Sequence, residues 1–226
     1  MAALIDGPRL GPATNAKQLV VFLHGYGSDG KDLIAIGKQW QALLPDAAFV
    51  SPNAPEPCAQ APMGRQWFPL TMRDPAERWI GVNKAAPTLD AFLDAELAKH
   101  GLDDSKLALV GFSQGTMMAL HVGLRRRRAP AGIVGFSGIL VGPEHLRPAE
   151  GQAPPVLLVH GSEDDVIPAD ALFISAEALA DAEVPSQWHL SVGIGHGIDG
   201  PGMGHAALFL ATCFGLKIAA PVPAGR

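Results

Sequence analysis

The chain has 226 residues and a formal net charge of −5 at pH 7, which gives no general attraction to nucleic acid or to an anionic lipid surface. Hydrophobic residues make up 48% and charged ones 17%, enough for one large core, yet no run reaches the ~18 apolar residues of a membrane span, so stable membrane insertion is not expected. Cys58 and Cys213 lack metal-like spacing and read as two free thiols; with no basic, apolar leader at Met1–Asp6, a cytoplasmic location is expected.

Residues 1–16 read as an irregular lead-in or an edge hairpin. Gln18–Leu23 is a continuous apolar run, the pattern of a strand buried on both faces of a parallel sheet, and it ends in His24-Gly25-Tyr26-Gly27-Ser28-Asp29-Gly30. Apolar spacing predicts a helix over 29–44, stopped by Pro45, then a strand at 47–51. Residues 52–79 carry six prolines among Met63, Trp67, Phe68, Leu70, Met72 and Trp79, and read as a long irregular segment. Such a segment serves either as a flap over the core or as the lining of an apolar substrate groove.

A helix is predicted from Pro87 to Lys99, with Leu89, Phe92, Leu93 and Leu97 on one face. The strand Lys106–Val110 leads through Gly111-Phe112-Ser113-Gln114-Gly115 into a helix reaching about 127, whose C-terminus the Arg125–Arg128 run is expected to cap. Ile133–Phe136 is another buried strand; 142–155 is a loop. The strand 155–159 precedes an acidic loop at 160–168 and a helix at 169–183. A last strand over 187–192 ends in Gly193-Ile194-Gly195-His196-Gly197, followed by a helix over 202–217 and a frayed tail at 218–226. The alternation of buried strands and helices gives one domain over 1–226, built on a mostly parallel, doubly wound sheet flanked by helices.

In such a sheet the site lies beyond the carboxyl ends of the strands. Ser113 sits on a strand–turn–helix with glycine two residues to each side, as a nucleophile lifted on a strained turn requires. The backbone N–H of Gln114, at the start of the helix, and that of Tyr26 can hold an oxyanion. The glycines at 25, 27 and 30 also spell a dinucleotide-binding pattern, but no acidic residue follows the next strand to take a ribose, and the oxyanion loop is the stronger reading. His196, on a glycine-flanked loop, is the best-placed base, with His189 and His205 as rivals. Asp164, Asp165 and Glu163 all adjoin the position of an orienting carboxylate. Ser137 is read as a decoy nucleophile, lacking the second glycine and a following helix, and His24 and His160 as loop-shaping residues. Loop order therefore gives oxyanion loop, Ser, Asp, His, the chain order of an α/β-hydrolase triad. The histidines lack metal-ligand spacing, so no metal and no cofactor is expected.

Leu23-His24-Gly25-Tyr26-Gly27, Gly111-Phe112-Ser113-Gln114-Gly115, His160-Gly161 followed by Asp164 and Pro168, and Gly195-His196 together resemble the phospholipase/carboxylesterase family, which includes the acyl-protein thioesterases. The likeness implies an α/β-hydrolase fold with no large lid domain, and it selects Asp164 by its offset from His160-Gly161. It implies catalytic Ser113, Asp164 and His196, an oxyanion hole at Tyr26 and Gln114, and a Trp67-Phe68 pair near the acyl site; Met63, Leu70 and Val166 are added as apolar residues lining that site. The implied substrates are small carboxylic or thio-esters of short to medium acyl chains, with lysophospholipase or acyl-protein thioesterase activity as alternatives. The Pro-rich loop at 52–66 departs from the eukaryotic thioesterases, making a bacterial-type carboxylesterase the nearer match. A catalytically inert binding protein on the same fold is the alternative of another class, and a homodimer stays open as the assembly.

Overall fold

A computed structural model describes residues 5–71, 74, 76–146 and 153–217. The expected frayed tail at 218–226, Met72, and parts of the lead-in and of the loop at 142–155 lie outside them. In chain order the strands are β1 (Arg9–Leu10), β2 (Gln18–Leu23), β3 (Ala47–Val50), β4 (Glu56–Cys58), β5 (Ala61–Gln66), β6 (Leu107–Phe112), β7 (Gly132–Phe136), β8 (Val156–Gly161) and β9 (Ser186–Ser191). The helices are α1 (Lys31–Trp40), α2 (Ala76–His100), α3 (Gln114–Gly123), α4 (Asp170–Asp181) and α5 (Gly200–Cys213).

Seven strands form one sheet in the order β1-β3-β2-β6-β7-β8-β9, parallel throughout except for β1, which runs antiparallel to β3 at one edge. The lead-in thus supplies a two-residue edge strand rather than a hairpin. The inner strands carry apolar residues on both faces because helices cover both. Leu19, Val21, Leu107, Leu109 and Leu158 point into a core with α2, α3 and α4. The alternate residues Val20, Phe22, Val110, Phe136 and Val159 pack against α1 and α5. Burying side chains on each face is worth roughly 1.5–3 kcal/mol per large residue, which is why these runs are uninterrupted by polar groups.

Three expectations need correcting. The helix read from Pro87 begins at Ala76 and carries Pro87 inside it. Gly81, Val82 and Ala85 continue the buried stripe of Leu89, Phe92 and Leu93 across the proline. Pro87 and Asn83, whose carbonyl loses its donor, both face solvent, so water can satisfy the gap. Within 52–79, β4 and β5 form a small antiparallel hairpin that Pro57, Pro62 and Gly64 disguise in the sequence. Finally, α3 stops at Gly123, and only Arg125 acts as its cap, donating to the His121 carbonyl at 3.2 Å. The buried Arg126 instead crosses to Asp90 (2.8 Å) and Asp94 (2.6 Å) of α2 and to Asp104, tying α2 to the end of α3.

Cys58 and Cys213 are both unpaired. Among the described residues no helix is long and apolar enough to cross a membrane, and no group of three or more His, Cys, Asp or Glu is placed to hold a metal ion.

Candidate active site

Ser113 links β6 to α3 with φ 54° and ψ −115°, outside the regions side chains ordinarily occupy. Two glycines make that turn fit. A Cβ on Gly111 would lie 2.4 Å from the Gly115 backbone, and one on Gly115 would lie 1.8 Å from the Leu23 carbonyl oxygen of β2. The elbow is therefore pressed against both itself and β2, the strand that leads into the loop at 24–30. The Ser113 N–H donates to Phe136 O at 2.9 Å. Among the described residues its hydroxyl makes no hydrogen bond, and neither do the backbone N–H groups of Tyr26 and Gln114.

Behind those two N–H groups lies a buried polar frame. The Gln114 carboxamide accepts from Trp67 N at 2.9 Å and donates to Phe68 O at 2.8 Å. The Trp67 indole N–H donates to His24 O at 3.0 Å. His24 accepts from Ala54 N at 3.0 Å through Nε2, which leaves the proton on Nδ1 to donate to Gly25 O at 2.8 Å. Burial lowers the His24 pKa, in keeping with this neutral tautomer. The β4–β5 hairpin adds a bridge: Gly27 N donates to Arg65 O at 2.9 Å and Arg65 N to Ser28 O at 2.7 Å. A hydrogen bond with the Cys58 thiol, together with burial, pushes the Tyr26 phenol up to about 12.

The acid–base side follows β8 and β9. His196 Nδ1 stands 2.8 Å from Asp164 Oδ2, while Asp164 Oδ1 accepts from Val166 N at 3.0 Å and Ile167 N at 2.9 Å. Burial works to raise the Asp164 pKa, but the Ile167 N–H, the His196 imidazole and the Val166 N–H outweigh it and hold the carboxyl below its ordinary range. Asp165 and Glu163 are exposed and take no part in this pairing. His160 lies beneath, its Nε2 2.8 Å from Ile167 O and 3.2 Å from Asp164 Oδ2. The His196 ring packs on that of Phe112, the residue before Ser113, with centroids 5.0 Å apart. The His189 and His205 rings meet at a tilt, centroids 4.4 Å apart, between β9 and α5.

The five expected groove residues divide. Met63 is 93% and Val166 51% exposed, one on the hairpin beside the oxyanion loop and the other on the Asp164 loop. Leu70 is half-buried against the core. Trp67 and Phe68 are wholly buried, so in this structure they have no surface to offer a substrate. The reason is local: a Cβ on Gly81 would lie 2.2 Å from the Phe68 ring, so that glycine admits the ring beneath α2, and the indole is spent on His24. Their polar groups bond to Gln114 and His24 in this structure.

Sequence reasoning missed the Gln114 side chain, Phe112, and the approach of His160 to Asp164. The offset of His160-Gly161 from Asp164 was a usable signal for the last; nothing in the sequence marks the first two.

The Phospholipase/Carboxylesterase family profile matches residues 10–214. Esterase YpfH of Escherichia coli (strain K12) is 30% identical over 192 residues, covering 85% of this chain and 81% of that protein. Acyl-protein thioesterase 1 of Schizosaccharomyces pombe is 29% identical over 189 residues, covering 79% and 83%. Among solved structures, one described as esterase PE8 superposes with a TM-score of 0.88 at 44% identity, covering 93% of this chain and 99% of that one. The mostly parallel sheet, the helices on both faces and this match over nearly the whole length make the fold that of the α/β-hydrolases, and the chain belongs to the phospholipase/carboxylesterase family.

Proposed function

We propose that the chain is a serine carboxylesterase, one domain over 1–226, that hydrolyses carboxylic esters of short to medium acyl chains by way of an acyl-enzyme. Ser113 Oγ attacks the acyl carbon as His196 Nε2 takes its proton. Asp164 accepts the Nδ1–H and stabilises the imidazolium that results. The N–H groups of Tyr26 and Gln114 hold the oxyanion. The intermediate collapses as His196 gives its proton to the leaving alkoxide; water, activated by the same imidazole, then releases the acid and frees Ser113.

The observation that carries this reading is the conjunction of a strained Ser113, two unpartnered N–H groups beside it, and a buried Asp164 bonded to His196 at 2.8 Å. Relatives named as esterases support the ester reading. Thioesters suit the same machinery, and acyl-protein thioesterase 1 of Schizosaccharomyces pombe supplies a reason to include them. Met63, Val166 and Leu70 are proposed to meet the acyl chain or the leaving group. Two free thiols support a cytoplasmic location. A homodimer would leave the chemistry unchanged, since every group named lies on one chain.

The test is turnover of p-nitrophenyl butyrate by Ser113→Ala and His196→Ala. Each is expected to lose about 10⁴-fold or more in kcat, and wild-type turnover in either would overturn the mechanism. A kcat/KM series from acetate to decanoate esters, with a thioester arm, then fixes the acyl class. An optimum at the short to medium chains is expected.

A further inference from the structure

Ser137, one residue beyond β7, fails as a nucleophile: it is fully buried and no helix follows it. It nevertheless shares a positive φ with Ser113, 45° against 54°. Non-glycine residues avoid this region, so a serine held there, out of reach of solvent, asks what its hydroxyl does.

The hydroxyl donates to the Gly197 carbonyl at 3.1 Å, one residue past His196. Apart from the His196–Asp164 bond and the Phe112 ring contact, the loop carrying His196 is otherwise tied by hydrogen bonds at its two ends among the described residues. Before the histidine, Gly193 N donates to Ser162 Oγ at 2.8 Å and Ile194 O accepts from Glu163 N at 2.9 Å. After it, Asp199 Oδ1 accepts from Ser191 Oγ and Gly202 N, both at 2.9 Å, capping α5. Across residues 195–198 the Ser137 bond is the one hydrogen bond to the loop backbone among the described residues. Gly197 is half-buried, and a Cβ placed on it would meet nothing within 4 Å, so no neighbour crowds it on that side.

The end of β7 is also bonded to the elbow. Phe136 O accepts from Ser113 N at 2.9 Å and from Thr116 Oγ1 at 2.8 Å, while Ser137 N donates to Val159 O at 2.8 Å. Phe136-Ser137 therefore stands between the nucleophile turn and the histidine loop, touching both. We infer that Ser137 is a positioning residue: its hydroxyl fixes the Gly197 end of the loop and so sets His196 relative to Ser113. Glycine would adopt the backbone more easily but could not make that bond. The inference rests on the Ser113–His196–Asp164 reading, since only then does the placement of His196 govern rate.

The test compares Ser137→Gly, Ser137→Ala, His196→Ala and the double variant S137G/H196A on p-nitrophenyl butyrate, with thermal midpoints alongside. In S137G and S137A, kcat should fall about tenfold with KM within about twofold, because a shifted base affects the transition state more than binding. The midpoint of S137G should stay within about 2 °C of wild type, relief of the backbone offsetting the lost bond. In the H196A background S137G should change the residual rate less than about twofold, because the group it positions is gone. Wild-type kcat in S137G and S137A with H196A inactive would overturn the inference and leave the triad standing. An equal tenfold loss in the H196A background would overturn it in favour of a general structural role. Full activity in H196A would overturn both.

Discussion

The two halves of the site are held by different means. The proposed oxyanion half, on the loops after β2 and β6, is held by buried hydrogen bonds: Gln114 to Trp67 and Phe68, and Trp67 to His24. The proposed acid–base half, after β8 and β9, has a deeply buried Asp164 but carries His196 on a glycine-rich loop where a Cβ on Gly193 or Gly197 would meet nothing within 4 Å. Buried polar groups that lose a partner cost roughly 1–3 kcal/mol each, whereas a loop with few hydrogen bonds can shift at little cost in stability. Damage to the first half should therefore appear in stability and rate together, and damage to the second mainly in rate.

The largest effect that separates them is expected from Asp164→Asn. An amide keeps the shape but loses the carboxylate that fixes the His196 tautomer, so kcat should fall about 10³–10⁴-fold on p-nitrophenyl butyrate. The stability change has a definite sign with pH. Because the folded Asp164 pKa is depressed, the ionised carboxylate contributes stability in full above the ordinary carboxylate range. That contribution disappears as pH falls through the folded value. Melting curves of wild type and D164N should thus converge below about pH 4. A gap that widens on acidification would contradict the assignment.

Gln114→Ala is the matching break in the other half. It leaves the backbone N–H in place but strands Trp67 N and Phe68 O, so kcat should drop about 10–100-fold and stability by about 2–4 kcal/mol. Unchanged stability in Q114A by urea titration would erase the contrast. A gentler cut, Trp67→Phe, removes the indole N–H from His24 O and leaves a cavity where the larger buried ring stood, and is expected to cost about 2 kcal/mol and a few-fold in kcat. Smallest in rate is Arg126→Ala, remote from both halves. Releasing Asp90, Asp94 and Asp104, two of them well exposed, should lower stability by about 1–2 kcal/mol with kcat within about twofold.

What the sequence made legible follows from where information is local. Strands buried on both faces announce themselves as unbroken apolar runs, and a polar or glycine-rich loop after each marks the sheet's carboxyl edge. His196 and Asp164 stand on two such loops, and their 2.8 Å pairing is the kind of geometry loop order can anticipate. Directions were not legible. Trp67 and Phe68 are apolar in any reading; that they turn inward goes with the space Gly81 leaves for the Phe68 ring beneath α2 and with the Trp67 indole bond to His24 O. Pro87 looked like a helix start because a proline is most at home there, but a solvent-facing proline leaves a long helix intact. The hairpin at β4–β5 owes its order to the bridge between Ser28 and Arg65, a contact between segments far apart in sequence. The missing second glycine and following helix set Ser137 apart from a nucleophile in the sequence, but its positive φ and its bond to Gly197 O are visible only in the structure.

The central claim is that Ser113 alone is the activated nucleophile, and active-site phosphonylation tests it most directly. Wild-type protein treated with a fluorophosphonate should gain a single adduct by intact mass, mapped to Ser113 by peptide sequencing, and S113A should gain none. No adduct on the wild type, or an adduct on Ser137, would contradict the account.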